Sequence, residues 1–373
     1  MTAAARFRPA WAEVDLEALR HNVRVILERV TPAEVCAVVK ADGYGHGAVE
    51  VSRAAIEAGA GSLAVALVEE GVELRDAGIE ASILLLSEPT ADAADEVVAR
   101  HLTPTLYTDA GVEAFGAAAG GSGPLGVHLK VDTGMHRVGA DPATATRLAR
   151  RIYEHPSLHL DAVWTHFAVA DDSAERAFTK SQSETFNAVC TAIEAAGVPV
   201  PKRHTSNAAG ALYEGEHHNL VRPGIAVYGY APDPERPLDL RPVLSLKARV
   251  TQVKTLPAGE RLSYGLRHTL TERSTIATVP LGYADGVPRR LSGTDTKVVL
   301  RGELRPIVGT ITMDQLLVDC GPDAEVTAGD EVVLLGRQGD HVITADDWAA
   351  RVDTISYEIL CGIGPRVPRI YLR

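Results

Sequence analysis

Apolar positions along this chain change their period several times, and the changes divide it into segments. Residues 8–15 read as a strand. Leu16, Leu19, Val23 and Ile26 then recur at helical spacing, with Asp15 placed to cap a helix that runs through Val30. Beyond it, short apolar, β-branched runs alternate with amphipathic stretches. The runs lie at 35–40, 62–67, 82–87, 103–107, 126–132, 159–166, 202–206 and 219–222, and helical patterns between them include 48–58, 142–154 and 174–196. Eight strand–helix units in about 215 residues is the arithmetic of a β/α barrel.

The pattern changes near Tyr230-Ala-Pro-Asp-Pro-Glu-Arg-Pro, where three prolines in six residues predict a turn-rich linker. Past it, Leu244–Val253, Thr275–Val279 and Asp330–Leu335 alternate or run short between Gly and Pro, which predicts a β-rich region. One helix is expected there, Ala345 to Arg351. The fold class is therefore α/β. An N-terminal strand (1–14) is expected to pack with the C-terminal domain, ahead of a (β/α)8 barrel (15–235) and a mainly β C-terminal domain (236–373).

Composition narrows the function. The net charge of −12 disfavours nucleic acid and anionic membrane surfaces as partners. No run approaches the roughly 18 apolar residues of a membrane span, and Met1 to Ala10 has no apolar core of a secretory signal. Cys36, Cys190, Cys320 and Cys361 are scattered, so no metal site or disulfide framework is expected, and reduced thiols in the cytoplasm are the default.

Candidate chemistry begins at Cys36-Ala-Val-Val-Lys40-Ala-Asp-Gly-Tyr44-Gly-His46-Gly47. An apolar run ends in a lysine, and a glycine-rich loop precedes a helical pattern from Ala48. The carboxyl ends of barrel strands face the active site. A lysine desolvated there can form a Schiff base with a carbonyl cofactor, whereas a lysine after an apolar run, by itself, is also what a solvated strand end looks like. In His128-Leu-Lys130-Val-Asp132-Thr-Gly134-Met-His136-Arg137, period-two alternation puts His128, Lys130 and Asp132 on one face of the fifth barrel strand.

The string Ala37-Val-Val-Lys40-Ala-Asp-Gly-Tyr44-Gly-His46-Gly47 resembles the pyridoxal-phosphate lysine motif of alanine racemases, and further strings follow in the family's order over nearly the whole chain. The resemblance implies that Lys40 carries the cofactor. It also implies that Lys130 is N-carboxylated and holds Arg137, which binds the cofactor's phenolic oxygen and helps to place the substrate carboxylate. Trp164-Thr-His166 ends the sixth strand. Arg222-Pro-Gly224-Ile225 resembles the cofactor-anchoring string, with Arg222 facing the pyridine nitrogen. Like charges about 4 Å apart at an effective dielectric near 20 repel by roughly 4 kcal/mol, about three pKa units, so Arg222 would oppose protonation of the ring. Phosphate donors are expected from the Gly224 and Ile225 N–H groups and the Tyr44 and Tyr357 hydroxyls. His204-Thr-Ser206-Asn207-Ala208 resembles the phosphate loop, with Asn207 and Ala208 as contacts. Relatives commonly carry a serine where Ala208 stands, so that hydroxyl is lost and Ser206 is the candidate to compensate.

In Arg261-Leu-Ser263-Tyr264-Gly265, Tyr264 matches the family's second catalytic base, supplied by the partner subunit of a homodimer with shared sites. Racemisation needs proton carriers on both faces of the Cα, and a relay through Tyr264, His166 and Arg222 is implied. Gly282-Tyr283-Ala-Asp285-Gly286 resembles the substrate-access loop. Gly309-Thr-Ile-Thr-Met313-Asp314 resembles the loop that meets the substrate carboxylate, and Asp353-Thr-Ile-Ser-Tyr357 matches the late tyrosine string. The expected activity is interconversion of L- and D-alanine by Lys40 and Tyr264, supplying D-alanine for peptidoglycan, with no metal. The alternatives are racemisation of serine or another small amino acid, a pyridoxal-phosphate D-amino-acid aldolase, dehydratase or decarboxylase, and a non-catalytic pyridoxal-phosphate carrier barrel.

Overall fold

The computed structural model describes residues 7–373 apart from 122, 215, 216, 234 and 237. Pro234 and Pro237 of the expected linker, and the first six residues of the stretch read for a signal, lie outside the described residues. The chain divides into two compact units. One comprises Leu19–Gly43 and Ala48–Arg241, and the other Met1–Ala18, Tyr44–Gly47 and Pro242–Arg373.

Strand β1 (Ala10–Asp15) leads into the helix Leu16–Val30. The Asp15 carboxylate accepts the Ala18 N–H at 2.9 Å, the N-cap expected from the sequence. Eight strands follow: β2 (Glu34–Val38), β3 (Ser62–Val65), β4 (Ser82–Leu85), β5 (Thr105–Leu106), β6 (Leu125–Lys130), β7 (Leu158–Trp164), β8 (Lys202–His204) and β9 (Leu220–Val221). All are parallel, and each lies beside its neighbours in sequence. The seam between β4 and β5 is closed by the Leu84–Thr103 bridge, and that between β8 and β9 by Asn219 N–H to the Arg203 carbonyl and Arg222 N–H to the Ser206 carbonyl. Because β9 pairs with β2, the ring closes as a barrel. β3 is buried at every position, as a strand covered on both faces must be.

All eight apolar runs are strands, each trimmed at its carboxyl end. Residues 103–107 shrink to two paired positions, and 219–222 likewise. The run 35–40 ends as a strand at Val38, 126–132 at Lys130, and 159–166 at Trp164. The helical patterns are present as Ala48–Glu57, Pro142–Glu154 and Arg176–Ala195, the last behind a short 3-10 turn.

The other unit is built on a ten-stranded sheet. Its order is Gln252–Leu256, Ser274–Val279, Leu316–Asp319, Glu303–Val308, Lys297–Leu300, Glu331–Gln338, Leu244–Arg249, β1 and Arg369–Leu372, with His341–Ile343 beside Glu331–Gln338. Leu244–Arg249 alternates buried and half-buried positions, the mark of a sheet covered on one face. Leu244–Val253, expected as one run, is broken at Val250–Thr251 into two strands. The expected helix is present as Ala345–Val352, capped by the Thr344 side chain. A second one, Ser356–Cys361, is a correction to the sequence reading: six residues without a side-chain cap are too short to register a helical period. No helix among the described residues is long and apolar enough to cross a membrane, and none of their His, Cys, Asp and Glu side chains cluster to hold a metal ion.

Candidate active site

Lys40 follows β2 by two residues. The Val38 N–H bonds the Pro223 carbonyl (3.0 Å) and the Val39 N–H bonds that of Ala64 (2.9 Å), which fixes the approach to Lys40 against the loop after β9 and against β3 itself. The glycine-rich stretch then departs from the expected loop. Lys40–Gly45 winds a helical turn in which Ala41, Asp42, Gly43, Tyr44 and Gly45 all have φ between 52° and 79°. The turn is left-handed. For Ala41, Asp42 and Tyr44 that conformation costs of order 1–3 kcal/mol each, so contacts outside the turn must hold it. Gly43 has no alternative there: a Cβ would meet Val51 Cγ2 at 2.6 Å.

Facing Lys40 across the carboxyl ends of the strands is a group of cations. Lys130 is 3% exposed, and burial, with Arg222 and Arg137 nearby, pulls its amine down to about 7. Asp132 opposes this influence but is no longer on the strand. The expectation of His128, Lys130 and Asp132 on one strand face is corrected here, because the chain turns after Lys130. The Asp132 carboxylate instead accepts the N–H groups of Gly134 (3.0 Å) and His136 (3.1 Å), shaping the loop that presents Arg137 to solvent. Thr133 is tied to the loop after β7 through the Thr165 hydroxyl (2.8 Å).

Arg222, 3% exposed, is the centre of a buried polar network. Its Nη2 donates to the carbonyls of Thr165 (2.8 Å) and Thr205 (2.9 Å), and lies 3.5 Å from His166 Nδ1. Its Nη1 donates to His204 Nδ1 at 2.6 Å. That assignment leaves the His204 proton on Nε2, from which it is donated to His128 Nδ1 at 3.1 Å. Burial first, then neighbouring cations, holds all three histidines neutral: His128 falls to about 3, and His166 and His204 lie well below the usual range. Burial lowers Arg222 itself only to about 9, so it stays a cation at neutral pH. Among the described residues its Nε–H has no partner, and neither has the buried Ser206 hydroxyl.

The sequence reading missed Trp164 and His204 as parts of this centre. Lys130, Trp164 and His204 occupy one rung of three adjacent strands. Lys130 Nζ stands 4.2 Å from the Trp164 ring centroid and Arg222 Cζ 4.5 Å, while His204 stacks on the ring at 5.4 Å. A desolvated cation–π contact contributes as much as about 2 kcal/mol, so the indole steadies two cations that repel each other. The available signal was position: both residues end a barrel strand.

Among the expected phosphate contacts, the Asn207 side chain is already engaged. Asn207 caps the helix Ala208–Tyr213 by accepting the Gly210 N–H (3.0 Å), and its amide donates to the Phe167 carbonyl (3.2 Å), so both ends of its side chain are engaged. Gly224 and Ile225 open the 3-10 helix Ile225–Tyr228, whose first N–H groups lie outside its internal bonds.

The second unit holds the other candidates. Tyr44 packs its ring 6.0 Å from that of Tyr357, and burial pushes its hydroxyl pKa up. Tyr264 tips the hairpin between Arg261–Leu262 and His268–Thr269, and it is 74% exposed. Leu262 and Leu270 root that hairpin in a cluster with Ile276 and Val308. Ser263, Gly265 and Leu266 have positive φ, and the Tyr264 carbonyl accepts the Thr310 hydroxyl at 2.8 Å. Tyr283 and the Met313–Asp314 loop are laced together: Tyr283 N–H bonds the Thr312 carbonyl (3.0 Å) and Ala284 N–H that of Met313 (3.1 Å). A Cβ on Gly282 would collide with both of those carbonyls. Asp285, fully buried and given no role of its own in the sequence reading, caps this turn at the Gly282 N–H and pairs with Arg8 (2.7 Å) and Arg366 (3.4 Å). Arg366 reaches on to Asp314 at 2.6 Å.

Comparison with known proteins covers nearly the whole chain. The family description "Alanine racemase, N-terminal domain" matches residues 14–232, and "Alanine racemase, C-terminal domain" matches 243–371. The chain is similar to the alanine racemase of Symbiobacterium thermophilum, 48% identical over 98% of this chain and 97% of the relative. It is 43% identical to that of Desulfovibrio desulfuricans over 98% of both. Among solved structures, the alanine racemase of Streptomyces coelicolor matches with TM-score 0.92 and 39% identity over 100% of both chains. That of Bacillus anthracis, with bound L-Ala-P, matches at TM-score 0.92 and 38% identity, over 98% of this chain and 96% of the other. The barrel and the β-rich part are both matched along nearly their whole length, and the chain belongs to the alanine racemase family of isomerases.

Proposed function

We propose that this protein interconverts L- and D-alanine by a two-base, pyridoxal-phosphate-dependent route in a homodimer with shared active sites. The observation that carries the reading is Arg222. It is a buried cation fixed by His204 and two carbonyls, with its Nε–H unpartnered among the described residues. Such a donor suits an unprotonated ring nitrogen and rejects a protonated one.

The residues present fit the cofactor. Arg137 and Arg222 make the barrel end electropositive, as a phosphorylated anionic ligand requires. Lys40 would hold it covalently. Arg222 and Arg137 would bind its ring, and Tyr44, Tyr357, Gly224, Ile225 and the backbone of Asn207 and Ala208 its phosphate, with the buried Ser206 hydroxyl in place of the one missing at Ala208. When bound, it supplies the electron sink that acidifies the substrate's α-hydrogen. Lys130, close to half neutral at pH 7, is a competent nucleophile for carbon dioxide, and its carbamate would give Arg137 an anionic partner.

Lys40 carries the proton on one face of the substrate and Tyr264 of the partner subunit on the other, with the Arg222–His166 contact as the barrel's part of the relay behind Tyr264. The exposure of Tyr264 (74%), Met313 (51%) and Tyr283 (42%) supports a second copy covering this face. Met313, Asp314 and Tyr283 would define the substrate's carboxylate end and its access. The bounds 15–235 and 236–373 are retained as functional domains, and the reaction as a cytoplasmic source of D-alanine for peptidoglycan.

The test is loss of optical rotation from L-alanine, then from L-serine, with pyridoxal phosphate present. Faster racemisation of serine would move the substrate assignment, and consumption of either without racemisation would replace the reaction. Arg222→Glu is expected to keep the cofactor but raise transamination per racemisation turnover at least about tenfold, since roughly three pKa units of ring basicity are released. An unchanged ratio with the cofactor still bound would remove the electronic role.

A further inference from the structure

We propose that Glu70 is a positioning residue for Lys40, acting through the backbone of the left-handed turn; this rests on the reading of Lys40 as the cofactor-bearing residue. Glu70 is the third residue of the helix Val68–Asp76, which follows β3. Its Oε2 accepts the N–H groups of Ala66 (2.8 Å) and Leu67 (3.0 Å), an ordinary helix-capping arrangement. Its Oε1 does something a cap does not require. It accepts the Ala41 N–H at 2.6 Å, from a residue 29 positions away in the chain.

That N–H belongs to the peptide joining Lys40 to Ala41, so the bond fixes the plane of this peptide and with it the direction of the Lys40 side chain. Ala41 is also the first left-handed residue of the turn, with φ 53°. The turn is fastened further on by Gly43 N–H to the Val39 carbonyl (2.9 Å) and by Ala48 N–H to the Asp42 carboxylate (2.9 Å). At Ala41 the charge-assisted bond from Glu70 is a tether, and it anchors the turn to the helix that follows β3. One carboxylate thus couples the loop after β2 to the loop after β3, three N–H groups in all.

Glu70→Gln separates the two tasks. An amide has one acceptor oxygen. Kept on the two capping N–H groups, it turns its NH2 against the Ala41 N–H and severs only the tether. Glu70→Ala severs both. Glu70→Gln is therefore expected to keep a melting temperature close to wild type while Glu70→Ala loses it. By mass-resolved hydrogen exchange, the Ala41 amide in Glu70→Gln should exchange about tenfold faster, and apoprotein affinity for pyridoxal phosphate and kcat should each fall about tenfold, the scale of a hydrogen bond to a charged group. Unchanged Ala41 exchange would overturn the tether. Faster exchange with cofactor affinity and kcat within about twofold of wild type, inside that scale, would reduce Glu70 to a cap. The reading beneath it is checked on wild type alone: borohydride reduction with pyridoxal phosphate must label Lys40, and label elsewhere would overturn the functional assignment whatever the exchange data say.

Discussion

Lys40→Ala is expected to abolish racemisation in both directions, by at least ~10³-fold, together with covalent retention of pyridoxal phosphate after borohydride treatment. General acid–base catalysis alone contributes about 10²–10⁴-fold, and Lys40 is also the only covalent anchor in the proposed site. Every structural commitment around it points the same way. The preceding residues are pinned to β3 and to the loop after β9, and the following turn is wound into a conformation that alanine, aspartate and tyrosine adopt at a cost. The nearest competitor is Lys130, whose amine burial and cations bring down to about 7. It stands over Trp164, on the rung it shares with that residue. Retained label on Lys130 in the variant, with activity surviving, would transfer the role and overturn the assignment. Residual non-covalent binding is expected, because Arg222, Tyr44 and the loop N–H groups are untouched by the substitution.

Tyr264→Phe should also collapse racemisation, by ~10²–10⁴-fold, but it should leave one half of the chemistry running. In the proposed two-base route, loss of the phenol leaves nothing to take the α-proton from L-alanine. Lys40 can still remove the α-hydrogen of D-alanine and return a solvent proton to the same face. Deuterium from D₂O should therefore enter D-alanine and not L-alanine. Preferential entry into L-alanine would reverse the faces, and undiminished racemisation would remove Tyr264 from the mechanism. The same variant tests the shared site. Tyr264 is displayed on a hairpin tip, 74% exposed, on a different compact unit from Lys40. Mixing inactive Lys40→Ala with inactive Tyr264→Phe should restore activity, since a heterodimer with crossed bases keeps one intact site. No recovery, with subunit exchange confirmed, would mean that each chain supplies both bases itself.

How much of this was legible depends on the distance over which each feature is decided. The barrel, the β-rich part, the Asp15 cap and the helix at Ala345 were readable because hydrophobic period and capping residues are local properties of a few consecutive side chains. Lys40, Arg222 and Tyr264 could be named because each lies inside a short string. The hand of the turn after Lys40 was not readable. Two glycines in Ala41–Gly45 permit it, but Ala41, Asp42 and Tyr44 argue against it locally, and a carboxylate on another loop helps to hold it. The Lys130–Trp164–His204 rung depends on the register of three strands that only the closed barrel aligns. The tautomer of His204 follows from the cation it faces, and the second task of Glu70 from a contact 29 residues away. The sequence by itself determined most of the elements that form and which side chains carry charge to the barrel end. Tertiary structure decided which of those charges meet, because strand register and loop-to-loop hydrogen bonds are set by closure of the whole ring and leave no periodic trace in the chain.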